Sequence, residues 1–123
     1  MPAVYYQSTV IAVGELVPTF TEEGILVFFG ESAPEELHEF CAMHRVELQS
    51  GELAAGDFIL LDEHEFEILA VGSVANENLM NLGHLNLKAD GNLVADLPGD
   101  VCIAPIKLPT VQPGTRFEIR KNK

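Results

Sequence analysis

The chain reads as mostly β: one domain spanning residues 1–123, a curled or barrel-like sheet carrying two short helices. Three observations point there. Short β-branched and aromatic runs recur from end to end, the breaks between them fall on Gly, Pro, Asp and Ser, and only two stretches carry the chemistry of a helix start.

Ala3 to Val13 is a first strand, ended by Gly14. Pro18 and the Thr21-Glu22-Glu23-Gly24 turn lead into a second, Ile25 to Phe29, closed by Gly30, and these two are expected to pair as a hairpin. Ser32 to Leu48 then opens as a helix. Pro34 suits the first helical position, Glu35 and Glu36 oppose the positive end of the dipole, and Leu37, Phe40, Cys41 and His44 follow at i, i+3, i+4 and i+7. His44 is thereby placed at the helix end, beside the apolar stripe, before Val46-Glu47-Leu48 restores alternation.

Phe58–Leu61 and Glu65–Val71 flank the polar tip Asp62-Glu63-His64 as a hairpin. Gly72-Ser73 breaks the strand, and Ser73 is a good N-cap for a short helix from Val74 to about Leu82, stopped by Gly83 in the left-handed position. Leu85 and Leu87 alternate with Asn86 and Lys88, Asp90-Gly91 turns the chain, and Val101 to Ile106 forms a strand broken by Pro105. Pro113-Gly114 leads into a last strand, Thr115 to Ile119, and the basic tail Arg120-Lys121-Asn122-Lys123 is expected to fray into solvent.

At 123 residues and 47% hydrophobic content, the chain can bury a core without disulfide staples. A formal charge of -12 repels nucleic-acid phosphates and anionic headgroups, so the expected partners are basic proteins, not nucleic acid. Cys41 and Cys102 lie in separate apolar segments and read as reduced thiols. The N-terminus has no basic region before its apolar residues, and no run approaches a membrane-spanning length, so a soluble, cytoplasmic protein without direct membrane insertion is expected.

Among the histidines, His38 and His64 read as surface residues. Cys41-x-x-His44 is half of a zinc-like pair, but Cys102 and His84 lack the spacing of a second one, so no metal is expected. No nucleophile elbow, Walker loop or dinucleotide fingerprint is present, and no cofactor is expected. Two readings of His44 remain: a half-buried imidazole filling space beside Phe40, or a neutral imidazole nucleophile, given an unperturbed pKa of about 6.5.

The stretch Ala70 to Gly91 bears on that choice. AVGSVA, then Asn78-Leu79, Leu82-Gly83-His84 and Asp90-Gly91, together with Glu39-Phe40-Cys41-x-x-His44 and Glu47-Leu48, resembles the glucitol/sorbitol-specific IIA component of the bacterial phosphoenolpyruvate-dependent sugar phosphotransferase system. The resemblance covers nearly the whole chain. It implies a phosphocarrier that accepts a phosphoryl group from the phosphocarrier protein HPr and passes it to the IIB domain of the sugar permease, with the acceptor at His44. One departure is the segment His44-Arg45-Val46, where relatives can be richer in histidine and cysteine.

Such transfer needs a neutral imidazole and groups that offset charge on the equatorial oxygens. His84 is expected near His44 as the second imidazole, and Gly72-Ser73, with free amides at a helix N-terminus, as a third side of the phosphate site. The rival is a non-catalytic β-domain that binds a protein or a polyol as a regulatory module.

Overall fold

Alternation along the strands decides which side chains face inward. In β1 (Val4–Val13) Tyr6, Ser8 and Val10 are buried, while Gln7 and Thr9 are not. The same period buries Leu26 and Phe28 of β2 (Ile25–Gly30) and Ala42 and His44 of β3 (Ala42–Gln49). It recurs in β4 (Phe58–Leu61) and β5 (His64–Val71), in β6 (Leu85–Lys88), and in β8 (Arg116–Arg120), whereas β7 (Asp100–Ile103) is buried throughout. In the computed structural model, which describes residues 3–122, these strands close into a barrel in the order β1-β3-β2-β6-β7-β5-β4-β8. The β2/β3 and β6/β7 pairs are parallel and the others antiparallel. Closure leaves no free sheet edge, and the interior is filled by side chains: Phe28 stacks on Phe117 at 4.4 Å, with Ile59, Ile68, Leu85, Leu87 and Ile119 fully buried around them.

The mostly-β expectation, the β4–β5 hairpin and the α2 helix (Ala75–Leu82) with its left-handed Gly83 stop all appear. Four expectations are corrected. β1 and β2 do not form a hairpin, because β3 inserts between them, antiparallel to β1 and parallel to β2. The helix expected from Ser32 is a 3₁₀ turn, Glu35–Phe40, and the chain is extended from Cys41 onward. Between two strands the segment gains two ladders of hydrogen bonds, and the alternation of Ala42 and His44 inward with Met43 and Arg45 outward fits a strand, although the apolar spacing fitted a helix. A short helix, α1 (Val17–Glu22), forms instead around Pro18. Finally, Ser73 does not cap α2, whose cap residue is Val74 with no side-chain hydrogen bond.

Most of the tail is also anchored: the Lys121 amide donates to the Ala3 carbonyl and the Asn122 amide to Asp57 Oδ1, while Lys123 lies outside the described residues. Inside the wall, buried Asp100 is held by Lys88 Nζ at 2.8 Å, and buried Asp57 accepts from the Tyr5 hydroxyl at 2.7 Å.

Because Phe117 packs against Phe28 and Tyr6 with no solvent exposure, Phe117→Ala should leave a cavity that the closed wall cannot collapse. The expected loss is about 3–5 kcal/mol, read as a lower urea midpoint with an unchanged denaturant slope.

Candidate functional site

His44 sits in β3 with its ring inside the barrel, surrounded by Phe28, Phe117 and Tyr6 at centroid distances of 5.4, 5.7 and 6.2 Å. It is fully buried. Register puts Val10 of β1 on one side of it and Gly30 of β2 on the other. Both ring nitrogens are engaged: Nδ1 lies 2.7 Å from Ser8 Oγ, and Nε2 lies 2.7 Å from the Gly83 carbonyl oxygen. A carbonyl can only accept, so Nε2 carries the proton; in the neutral ring Nδ1 then accepts from the Ser8 hydroxyl. Burial lowers the His44 pKa below its ordinary value of 6.5, and the bond to the Gly83 carbonyl opposes that only in part, so the ring is neutral at neutral pH.

Above this histidine lies an open cleft of about 360 Å³, floored by His44, Gly30 and Gly83 and walled by Val46 and Gln49 of β3, the end of α2 from Leu79, and Glu31-Ser32. Its rim carries three apolar side chains, Val46, Met80 and Leu82, each more than a third exposed, beside the polar Glu31, Ser32, Gln49 and Asn81. No lysine or arginine lines it. The nearest part of α2 is its C-terminus, where the dipole is negative.

The other expected site residues are placed differently. Phe28 pairs with Leu85, and both point inward, so the next residues, Phe29 and His84, point outward; their rings stack at 4.7 Å, and His84 Nε2 meets Asn86 Oδ1 at 3.1 Å. The His44 and His84 rings are therefore on opposite faces of the barrel wall and do not share a site. What the Leu82-Gly83-His84 motif brings to His44 is the Gly83 carbonyl. Gly72 and Ser73 stand at the other end of α2, about 12 Å away along an eight-residue helix. The amides of Gly72 and Val74 donate to the carbonyls of Asp100 and Pro98, and a Cβ on Gly72 would lie 2.2 Å from the Pro98 oxygen, so that terminus has no room for an anion.

His64 lies exposed at the start of β5, while His38 Nε2 donates to the Ala33 carbonyl at 2.8 Å. Cys41 packs outside the barrel with Phe29 and Ala33, on the face opposite His44, so Cys41-x-x-His44 cannot act as a ligand pair. Both cysteines are free and buried; burial and nearby aspartates push Cys102 up to about 11. Among the described residues, no group of three or more His, Cys, Asp or Glu side chains is disposed to hold a metal ion. A second groove, of about 410 Å³ between α1 and residues 106–110, contains no histidine or cysteine. Ser8 is the site residue that sequence reasoning missed. Its signal was a small polar residue at an inward position of an alternating strand, between Tyr6 and Val10.

The model for the PTS system glucitol/sorbitol-specific IIA component matches residues 5–118. The chain belongs to this family. It is 36% identical over 117 residues to the PTS system glucitol/sorbitol-specific EIIA components of Shigella flexneri and of Escherichia coli (strain K12), covering 94% of this chain and 95% of each relative. The crystal structure of a PTS system IIA component from Enterococcus faecalis V583 superposes with a TM-score of 0.76 at 28% identity, covering 90% of this chain and 96% of that one. The protein is thus a phosphotransferase-system component, which passes phosphoryl groups between partner proteins. No helix among the described residues is long and apolar enough to cross a membrane.

In this IIA component the buried neutral ring couples stability to pH. The unfolded chain takes up a proton on His44 near pH 6.5 and the folded ring resists it, so the folded state loses stability as pH falls below about 6.5 toward the lowered folded pKa. Unfolding free energies at about pH 7 and about pH 5 should differ more in the native protein than in His44→Gln, which removes the titrating group. Equal differences in the two proteins would mean that the ring is not buried neutral.

Proposed function

We propose that this IIA component accepts a phosphoryl group from phospho-HPr on His44 and hands it to the IIB domain of a glucitol/sorbitol permease, acting in the cytoplasm as a single IIA domain spanning residues 1–123. The observation that carries this reading is that, of the four histidines, His44 is the one that lines the cleft, and it is neutral there. A neutral imidazole is the nucleophile this transfer needs, and the rest of catalysis is positioning and charge stabilisation. The cleft supplies no cation of its own, so positive charge for the transferring group comes from the docked partner. A chain of net charge -12 attracts such a basic partner, and the apolar rim of Val46, Met80 and Leu82 gives it a surface to dry.

Incubation with phosphoenolpyruvate and the general phosphotransferase proteins should place an acid-labile, base-stable phosphate on the native protein. His44→Gln should carry none, and His64→Ala should be labelled at the native rate. A folded His44→Gln that is still labelled removes the assignment. Failure to label the native protein would favour the regulatory binding module instead.

The encounter is expected to be steered by charge. Exposed charges are screened over about 10 Å at 0.1 M salt, so the labelling rate at low donor concentration should fall several-fold between about 0.02 and 0.2 M salt, with a smaller change in the maximal rate. A rate indifferent to salt would assign docking to the apolar rim alone.

A further inference from the structure

Surface loops usually turn their polar side chains to water, but residues 89–99, between β6 and β7, do the reverse. Their apolar side chains stand out: Leu93 is 77% exposed, Val94 78% and Leu97 55%. The polar groups brace the loop instead. Asp90 accepts from the amide and the side chain of Asn92, whose Nδ2 also reaches Asp96. The Leu97 amide donates to buried Asp100, which Lys88 holds at 2.8 Å. Backbone bonds fix both ends, from the Gly91 amide to the Ile103 carbonyl and from the Val74 amide to the Pro98 carbonyl. A loop braced in this way loses little further freedom when its apolar side chains are covered, which is what a preformed docking element requires.

The loop adjoins a groove at the end of the barrel away from His44. Its Ala89 amide donates to the Gly24 carbonyl, and Gly24 lines the groove of about 410 Å³ together with Pro18, Glu22, Ile106 and Lys107. A Cβ on Gly91 would lie 3.0 Å from Pro105, the residue before Ile106, so loop and groove form one surface. The cleft lies at the other end of the same strands. β2 leads from Gly24 in the groove to Gly30 in the cleft, a span of about 20 Å at roughly 3.3 Å per residue. β6 repeats the arrangement, with Gly83 of the cleft before it and Ala89 of the loop after it. A partner seated over His44 therefore leaves the loop and groove open.

We propose that the loop and groove are a second docking surface, whose occupant is a protein segment with apolar side chains flanked by lysine or arginine, carried by the permease that bears the IIB domain. The choice of the permease rests on the phosphocarrier reading above. The chemistry of the segment follows from the charges that face it. Glu22 in the groove and the exposed Asp90 and Asp96 on the loop outweigh Lys107, since Lys88 is already paired with Asp100. Complementarity asks for a cationic rim around an apolar centre. The same aspartates, on a chain of net charge -12, repel a second copy and anionic lipid headgroups. Donor and acceptor compete for one cleft, and the donor has to leave before the acceptor can reach His44. A surface that stays open through this exchange serves the partner that is kept, whose IIB domain then meets His44 at the high effective concentration of a tethered pair.

The test is co-sedimentation of the full chain with membrane vesicles containing the permease, beside permease-free vesicles of phosphatidylcholine and phosphatidylglycerol. Native protein should bind the permease vesicles, and Leu93→Ser/Val94→Ser should bind them about tenfold more weakly. Asp96→Lys should also bind more weakly, through its reversed charge. Both variants change side chains that stand in water, so both should be labelled by phospho-HPr at the native rate, which also shows that they fold. No permease binding by the native protein, unchanged binding by the double variant, or tighter binding by Asp96→Lys overturns the proposal. Equal binding to the lipid vesicles makes the occupant a membrane, a native dimer that the double variant loses makes it a second copy, and slowed labelling in either variant makes it the donor. Each of these also overturns it. Loop-dependent permease binding by a native protein that takes no label sinks the phosphocarrier reading and leaves the docking surface standing.

Discussion

The site depends on β3 being clamped between β1 and β2. That clamp grips Ala42 to His44 from both sides, with β1 alone pairing the rest of β3, and the two-residue period then carries His44 into the barrel while Met43 and Arg45 face out. A helix through the same residues would have left the imidazole at an end, half wet, with one partner at most. The strand buries it completely, and so its chemistry is set by two neighbours, Ser8 and Gly83, and by desolvation. Two hydrogen bonds and the packing around it hold the shielded ring in one orientation.

The same burial explains why this is a carrier rather than a store. The carbonyl end of α2 faces the cleft, no lysine or arginine lines it, and the whole chain is strongly acidic. An anion in that cleft sits in an unfavourable potential unless a cationic partner covers it.

The strands, the β4–β5 hairpin and the Gly83 stop were legible in the sequence because alternation and turn residues are local signals. The position of β3 was not. Leu37, Phe40, Cys41 and His44 fit a helical stripe, and the strand competes with it only through β1 and β2, whose partners in β3 lie 14 to 43 residues away in the chain, contacts that no local window contains. His44 was legible as a candidate acceptor from its motif, but its surroundings were not. His84 drew notice as a second imidazole, although the inward pairing of Leu85 with Phe28 turns its ring outward, and Ser73 drew notice as a cap although the Leu97–Gly99 segment already covers that helix end. Ser8, a small hydroxyl in an apolar strand, looked like an interruption and is the inner partner of the ring.

Gly30 and Gly83 show how backbone shape, rather than a side chain, closes the site. A Cβ on Gly30 would lie 2.8 Å from the Leu82 carbonyl, and one on Gly83 would lie 2.9 Å from the Gly30 nitrogen and 3.2 Å from His44 Nε2. The end of α2 can settle on β2 only because both positions lack that atom, and only a left-handed residue at Gly83 turns its carbonyl back onto the ring. The helix stop that the sequence displays so plainly is therefore also the cover of the His44 ring. Ending α2 and masking Nε2 are one structural event.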